Sequence, residues 1–307
     1  MSISAYIREI GRGKDGARAL TREQAADLMG QVLDDQVSDL ELGAFCLAMR
    51  IKGETPEEMA GFLDATESRL NRTAPAANPV VVLPSYNGAR KMPGMLPLLG
   101  LLLAQRGLPV LIHGCATESS RVYTSEVLKA LGIEIPPCVP VPELGQVRFV
   151  PTTLLSPALF KLLEVRRVVG LRNPGHSLVK LMNPVAGPAL LVSSYTHPEY
   201  AHAMSATLAL RQADALLLRG TEGEPVADPR RTPYMEGFLA GKPVVLELPQ
   251  TGTLLNLPPL PPGPEAQATA VYIRSVLDGQ QEVPASIAVQ VAHIVQLHAQ
   301  ISHTQIS

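Results

Sequence analysis

Apolar residues follow two different patterns along the chain. Through the first 70 residues they recur at helical spacing, and three helix starts are marked by a capping hydroxyl followed three residues later by Glu or Gln. The pairs are Thr21 with Gln24, Ser38 with Glu41, and Thr55 with Glu58. After residue 79, short apolar runs alternate with helix-length segments. The runs are VVVL at 80–83, PVLIHG at 109–114, PALLVSS at 188–194, DALLLRG at 214–220 and PVVLEL at 243–248.

Short, continuously apolar runs of this kind predict a parallel sheet that helices cover on both faces. We therefore expect an α/β fold in two parts: a small all-helical domain over 1–74, and a larger, mostly parallel α/β domain over 75–154 and 185–307. Helices predicted at 156–165 and 175–182 return the chain to the helical domain between about 155 and 184. A long helix from Pro284 to about His303 ends the second domain.

One face of the third predicted helix is apolar and needs a partner. The stripe consists of Leu40, Ala44, Leu47 and Ile51, which fall at helical spacing. A second subunit is one partner that would cover it, so the helical domain is a candidate dimer interface.

Composition narrows the class of protein. Of 307 residues, 46% are hydrophobic and 18% charged, which is typical of a globular chain. Arg8 and Glu9 interrupt the start where a signal peptide needs apolar residues, and the apolar segment 96–104 is too short to span a bilayer. We expect a cytoplasmic protein without a membrane partner. Its three cysteines are too few and too scattered for a disulfide framework or a zinc motif.

The formal net charge of −2 hides a segregation of charge along the chain. Residues 75–180 carry a net charge of +6, whereas 1–74 and 181–307 carry −4 each. A basic central third is typical of proteins that bind anions, nucleic acid among them. Cationic faces of solvated helices are the simpler alternative.

The loop PSYNGARKMP, residues 84–93, follows the first predicted strand. Such turns often hold a phosphate, because their backbone N–H groups point at the anion. This turn has a single glycine and carries Arg90 and Lys91 instead. Its composition favours an anion that long cationic side chains can reach.

Three long segments resemble one enzyme family. Residues 20–62, 113–132 (HGCATESSRVYTSEVLKALG) and 170–185 (GLRNPGHSLVKLMNPV) are similar to anthranilate phosphoribosyltransferase and to the related pyrimidine nucleoside phosphorylases. The resemblance implies a helical dimerisation domain beside a mostly parallel α/β domain, with the family's active site in the cleft between them.

The family's catalytic positions are altered in this chain. A glycine-rich loop ending in aspartate (GTGGD) is replaced by residues 85–89, SYNGA, and a diphosphate-binding lysine by Ile112. The Asp-Glu pair that binds magnesium in the family corresponds to Gly223 and Glu224. A glycine-proline pair corresponds to Val179 and Lys180. By resemblance, we expect no transferase reaction and no cofactor, with Mg²⁺ needed only if the chain is a transferase after all.

Two sets of candidate site residues follow. The predicted nucleic-acid-binding cations are Arg90, Lys91, Arg121, Arg166, Arg167, Arg172 and Lys180. The remnant of a phosphosugar site consists of Asn87, Gly88, His113, Ser119, Ser120 and Glu224. The basic substitutions are similar to those of the YbiB-type branch of the family, and that resemblance implies DNA binding without sequence specificity.

Alternatives remain for the function and for single residues. The chain can instead be an active glycosyl or phosphoribosyl transferase with an altered substrate, or a scaffold that only dimerises. Arg166 and Arg167 also suit a helix end that stabilises its own dipole. His176 and Lys180, four residues apart, would share a helix face. Tyr86 is the one aromatic residue expected to stack on a base.

Overall fold

A computed structural model describes residues 2–13, 15–76, 78–254 and 257–304 of the chain. The chain folds into two units, each of which is formed from two stretches of sequence. The helical unit comprises the residues up to Asn71 together with Thr152–Pro184. The sheet unit comprises Arg72–Pro151 together with the residues from Val185 onward.

The helical unit is built from helices whose starts the sequence specifies. Their bounds are α1 Ser4–Ile10, α2 Arg22–Leu33, α3 Asp39–Lys52, α4 Pro56–Glu67, α7 Thr152–Leu155, α8 Pro157–Val169 and α9 Gly175–Leu178. All three predicted capping boxes are confirmed at the starts of α2, α3 and α4. In α3, for example, the Ser38 hydroxyl accepts from the backbone N–H of Glu41, and the Glu41 carboxylate accepts from the backbone N–H of Ser38 at 3.0 Å.

Helices α2 and α4 pack together at a glycine. An added Cβ at Gly61 would lie 2.2 Å from the carbonyl oxygen of Arg22 and 2.9 Å from the Cβ of Ala25. Absence of a side chain therefore lets the two backbones approach. A bidentate ion pair between Arg22 and Asp64, with N to O distances of 2.6 and 3.0 Å, fixes the same pair of helices.

The predicted apolar stripe lies on the exposed face of α3. Leu40, Leu47 and Ile51 are 84%, 46% and 57% exposed, and Ala44 is half-buried. The core of this unit is formed by the opposite face, with Phe45 and Met49 fully buried. Within the described chain, the stripe is left as an uncovered apolar surface.

The sheet unit contains seven strands in the part of the chain that the structure describes. Their bounds are β1 Val80–Ser85, β2 Val110–Gly114, β3 Val147–Pro151, β4 Ala189–Tyr195, β5 Ala215–Arg219, β6 Met235–Leu239 and β7 Lys242–Glu247. The strand order is β3-β2-β1-β4-β5-β6-β7. The first five of these strands are parallel to their neighbours, and β6 and β7 are antiparallel, which confirms a mostly parallel α/β sheet.

One strand departs from the expectation of burial. The prediction that the apolar run at 243–248 forms a covered parallel strand is wrong. The run forms β7, the antiparallel strand at the edge of the sheet, where Val244 and Val245 are 46% and 55% exposed. Strand β6 has the sequence MEGFL, in which Glu236 and Gly237 interrupt the apolar run, so the pattern did not mark it.

Helices cover the sheet. Their bounds are α5 Leu96–Gln105, α6 Thr124–Ala130, α10 Pro198–Leu210, α11 Ala266–Leu277 and α12 Ala285–Thr304. Residues of α5, α6, α11 and α12 join those of the central strands in one apolar core. Among the described residues, no helix combines the length and hydropathy needed to cross a membrane.

His113 lies inside this core, on β2. Its side chain is completely buried, and Nδ1 is 2.8 Å from the hydroxyl of Tyr86. Burial lowers the pKa of His113 to about 3 from the ordinary value of 6.5, because the charged imidazolium would lose its hydration. The imidazole is therefore neutral in the folded protein near pH 7.

Replacing Gly61 by alanine should destabilise the protein. Although alanine is the better helix former by about 1 kcal/mol, the clash with the α2 backbone should lower the free energy of unfolding by about 1–3 kcal/mol in urea titrations. Gly43→Ala, in α3, is the control, since an added Cβ there meets nothing within 4 Å. Equal stabilisation by both substitutions would contradict the packing argument.

His113 should make stability depend on pH. The unfolded chain takes up a proton near pH 6.5 that the folded chain refuses down to about pH 3, so stability falls as the pH is lowered between these values. Urea unfolding at successive pH values gives the free energy of unfolding as a function of pH. The slope of that free energy against pH should be smaller by up to about 1.4 kcal/mol per pH unit in His113→Gln than in the wild type. His202→Gln, at an exposed position on α10, is the matched control. Parallel pH profiles for all three proteins would refute this role.

Candidate functional site

The candidate site lies where the parallel strands of the sheet unit end. Ser85 of β1 pairs with Gly114 of β2, and β5 runs parallel to β1 through β4. Because parallel strands end at the same edge, the loops that follow β1, β2 and β5 start side by side. Backbone hydrogen bonds of 2.7 and 3.0 Å between Ala89 and Val122 join the first two loops.

A buried carboxylate occupies the start of the loop after β1. Glu224 is 5% exposed, and its carboxylate accepts hydrogen bonds from three donors. These are the hydroxyl of Ser85 at 2.5 Å, the backbone N–H of Asn87 at 2.7 Å and the backbone N–H of Gly88 at 2.9 Å. The N–H groups predicted to face a bound anion therefore face an anion of the chain itself.

A second carboxylate occupies the rest of the same loop. Glu222 accepts from the backbone N–H groups of Arg90, Lys91 and Met92, at 2.5, 3.0 and 3.5 Å for the shortest contact of each. Glu222 has a φ of +52°, a conformation that residues other than glycine seldom adopt. This backbone turn directs its side chain toward three successive N–H groups.

The segment that carries both carboxylates is fixed to the sheet unit. The backbone N–H and the hydroxyl of Thr221 both donate to the carbonyl of Val226 at 3.0 Å, and the Ser194 hydroxyl donates to the carbonyl of Gly223 at 3.0 Å. Gln290, fully buried in α12, accepts from the N–H of Ala227 at 2.8 Å. The carboxylates thus project from a rigid support.

Asn87 and Gly223 fill the space between the two loops. An added Cβ at Gly223 would lie 1.6 Å from the Nδ2 atom of Asn87, and Gly223 has a φ of +93°. The same Nδ2 atom donates to the carbonyl of Glu222 at 3.2 Å. Glycine is therefore required at position 223, which corresponds by resemblance to the family's magnesium-binding aspartate. An aspartate side chain at this position would displace Asn87.

These contacts decide what the edge can hold. Magnesium binds through oxygen ligands at about 2.0–2.1 Å and needs accessible carboxylates. The two oxygens of Glu224 already accept from donors of the chain, and Gly223 offers no side chain. The residues present do not fit a magnesium site. Among the described residues, no group of three or more His, Cys, Asp or Glu side chains is placed to hold a metal ion.

The other predicted phosphosugar residues are not brought together. His113 is fully buried beneath the loop, whereas Ser119 and Ser120 lie exposed in the turn after β2. Tyr86, expected to stack on a base, is only 3% exposed. That expectation is wrong, because the ring packs edge-on against His113 and cannot offer a face to a ligand.

Three predicted cations surround the filled loop. Arg90 and Lys91 are exposed, and neither side chain forms an ion pair with any residue that the structure describes. Arg121 is more covered, with Nη1 3.4 Å from the carbonyl of Gly88 and Nε 3.7 Å from the carboxylate of Glu118. The side-chain charges of Arg90 and Lys91 are therefore accessible to an external anion at this edge.

The remaining four cations belong to the helical unit. Arg166 and Arg167 lie in the last turn of α8, and Arg167 pairs with Glu164 at 2.6 Å. Arg172 precedes α9 and Lys180 follows it. The prediction that His176 and Lys180 share a helix face is wrong, since α9 ends at Leu178 and His176 is buried.

Sequence reasoning missed Glu222 and gave Glu224 another role. Both acids follow a strand parallel to β1, so strand order would have placed them near the loop after β1. The pattern Thr-Glu-Gly-Glu is too short to show that its carboxylates would accept from that loop. Partners at least 130 residues apart leave no spacing signal.

Sequence comparison places the chain among related proteins. Residues 4–68 match the sequence model of the glycosyl transferase family, helical bundle domain. The uncharacterized protein YbiB of Escherichia coli is 38% identical over 306 residues, which cover 95% of this chain and 93% of YbiB. An anthranilate phosphoribosyltransferase of Methanopyrus kandleri is 31% identical over 193 residues, covering 59% of this chain and 53% of that enzyme.

Solved structures show the same fold. Anthranilate phosphoribosyltransferase from Thermus thermophilus superimposes with a TM-score of 0.72 at 21% identity, covering 98% of this chain and 90% of that one. The enzyme from Saccharomyces cerevisiae, in complex with PRPP and Mg, gives a TM-score of 0.70 at 14% identity, with 97% and 89% coverage. The chain belongs to the anthranilate phosphoribosyltransferase-like family, which includes YbiB.

Proposed function

We propose that this protein binds nucleic acid, most simply DNA, through the phosphate backbone and without sequence specificity. One observation carries the proposal. The N–H groups of the loop after β1 are taken by Glu224 and Glu222, while the side chains of Arg90 and Lys91 on the same loop project into solvent. The loop can meet an external anion through its side chains more readily than through its backbone.

The filled loop disfavours a diphosphate as substrate. A diphosphate would need the N–H groups of Asn87 and Gly88, which already donate to Glu224 at 2.7 and 2.9 Å. Two internal carboxylates at that place would also repel a small, multiply charged anion. Displacing Glu224 would leave a buried charge without its donors, which costs several kcal/mol.

A polymer of phosphates suits the exposed cations better. Arginine and lysine on flexible stems reach phosphates that repeat along a chain, and contacts of this kind carry no sequence information. The +6 net charge of residues 75–180 supports the proposal, since these residues include all seven predicted cations. Burial of Tyr86 removes the expected stacking contact, which leaves phosphate contacts as the source of affinity.

A homodimer formed through the helical unit completes the proposal. The exposed stripe of Leu40, Leu47 and Ile51 provides an apolar surface that a second copy can cover. Two linked copies would present twice as many cations to one polymer, and the second contact would then be favoured by its high effective concentration. We place this dimer in the cytoplasm, with no role for a cofactor.

The alternative is a glycosyl or phosphoribosyl transferase with an altered substrate. It is favoured by the 31% identity to an anthranilate phosphoribosyltransferase and by the presence of Glu224, which matches one magnesium-binding residue of the family. Under this alternative Mg²⁺ would be needed, and Glu224 would have to leave Ser85, Asn87 and Gly88 to bind it.

Binding should depend on salt in a way that Arg90 and Lys91 control. Titration of a fluorescent duplex with increasing salt should give a linear fall of log affinity with log salt, at about −0.9 per phosphate contact. Arg90→Ala/Lys91→Ala should make that slope shallower by about 2 and weaken scrambled sequences equally.

The matched control is Arg106→Ala/Lys129→Ala. Both residues are exposed at the carboxyl ends of α5 and α6, which lie at the opposite edge of the parallel sheet. This variant removes the same charge and should leave the slope unchanged. No binding at low salt, or equal effects of both double substitutions, would refute the proposed site. Magnesium-dependent release of diphosphate by the purified wild type would favour the transferase instead.

Dimerisation should depend on the apolar stripe of α3. Leu47→Glu places a charge in the middle of that face, so the dimer should dissociate at least about 100-fold more readily. Sedimentation at micromolar concentration should show a dimer for the wild type and a monomer for the variant. Val271→Glu, at a 56% exposed position on α11, should remain dimeric. A monomeric wild type would exclude this part of the proposal.

A further inference from the structure

The contact between Glu222 and the loop after β1 is unlike an ordinary surface hydrogen bond. Three successive backbone N–H groups, of Arg90, Lys91 and Met92, converge on one carboxylate. Concave arrangements of successive N–H groups bind anions, phosphate among them. Glu222 therefore occupies an anion site that the backbone forms beside the two exposed cations.

Glu222 differs from Glu224 in how easily it can leave. Glu224 is buried, so its departure would strand a charge inside the protein. Glu222 is half-exposed, so its carboxylate can exchange its N–H partners for water. Its neighbours Thr221 and Gly223 are fixed by hydrogen bonds to Val226 and Ser194. Rotation of the Glu222 side chain alone would thus carry the carboxylate into solvent, while the support stays in place.

We propose that the N–H groups of Arg90, Lys91 and Met92 form a phosphate site, which Glu222 fills in the free protein and yields to a backbone phosphate of nucleic acid. The proposal rests on the proposed function and adds a site to it. In the free protein, Glu222 holds the loop after β1 in position. In the presence of nucleic acid, its carboxylate competes with the phosphate for the same three N–H groups. The phosphates on either side of the bound one would contact the side chains of Arg90 and Lys91.

Competition with a tethered carboxylate should select polymers over single phosphates. Glu222 is covalently attached, so it faces the site at a high effective concentration, and free phosphate must compete against it. A nucleic acid already held by the side chains of Arg90 and Lys91 presents its next phosphate at a comparable effective concentration. The internal carboxylate would then suppress binding of metabolites that carry one phosphate, and permit binding of a polymer.

Glu222→Gly is the variant that opens the site. Glycine removes the carboxylate and tolerates the positive φ, so the fold should be retained, which circular dichroism checks. Glu222→Gln keeps the side chain and one acceptor oxygen but removes the charge. Glu199→Ala, at an exposed position on α10, controls for the change in net charge.

The first measurement uses inorganic phosphate and amide NMR. In Glu222→Gly, phosphate should shift the N–H signals of Arg90, Lys91 and Met92, with an affinity at least about tenfold above that of the wild type and of Glu199→Ala. The phosphate affinity of Glu222→Gln should lie between those of the wild type and Glu222→Gly. Absence of these shifts in the folded glycine variant would overturn the proposal.

The second measurement uses an oligonucleotide. Glu222→Gly should bind it about tenfold more tightly than the wild type, and a similar gain should persist when Arg90→Ala/Lys91→Ala is added, because the site consists of backbone groups. In the wild type, the oligonucleotide should shift the same three amide signals. Loss of the gain in the Arg90→Ala/Lys91→Ala background would mean that Glu222 acts only by repelling phosphate from the two side chains, which overturns the proposal.

The two proposals can fail separately. If the wild type binds no oligonucleotide while folded Glu222→Gly binds phosphate at these amides, the proposed function is wrong and the backbone anion site stands. If the wild type binds oligonucleotide and the three amide signals do not move, the proposed function stands and the exchange of Glu222 for phosphate is wrong.

Discussion

Every backbone N–H group in the loop after β1 needs an acceptor, and that requirement shapes the candidate site. Buried N–H groups without partners are costly, so folded chains almost always satisfy them. An enzyme that binds a phosphate here can leave its N–H groups to the ligand. In this chain, Glu224 and Glu222 accept from five of them, at Asn87, Gly88, and 90–92. The loop is therefore complete without a ligand.

Other features of the sheet unit follow from these carboxylates. Gly223 must lack a side chain so that Asn87 can pack against it, and Gln290 of α12 must hold the chain just after Glu224. The polypeptide then has little freedom at the edge of the sheet. The side chains of Arg90 and Lys91 keep more conformational freedom, because they extend into solvent. The buried Glu224 closes the N–H groups of Asn87 and Gly88 to a ligand, whereas the side chains of Arg90 and Lys91 stay accessible.

Local signals in the sequence predicted the local structure well. Each capping box depends on two residues three positions apart, so Ser38 with Glu41 could be identified from the sequence alone. Parallel strands such as β1 were marked by their continuous apolar runs, whereas β7 was misjudged because an apolar run does not show whether a helix covers it. The contacts of the candidate site were harder to predict from the sequence, since Glu222 and the N–H group of Arg90 are 132 residues apart.

The roles of single residues depended on burial, which sequence patterns leave open. Tyr86 and His113 look like ligand-facing residues at a strand end, and both are enclosed in the core. Resemblance to a family supplied the fold, because the overall pattern of helices and strands survives many substitutions. It could not supply the hydrogen-bond partners of Glu224, because those depend on the local packing of residues that differ from the family's, such as Asn87.

A protein with a formal net charge of −2 can bind a polyanion only if its charges act locally. Exposed charges are screened over about 8 Å at physiological ionic strength, so acidic segments elsewhere in the chain have little effect on a phosphate beside Arg90 and Lys91. Glu222 lies within that distance, since it accepts from the N–H groups of both residues. It cancels part of their field while it stays in place. Moving this one carboxylate into solvent would change the local charge more than moving any distant acid, so under the proposed function the position of Glu222 would set the affinity of this edge for phosphate.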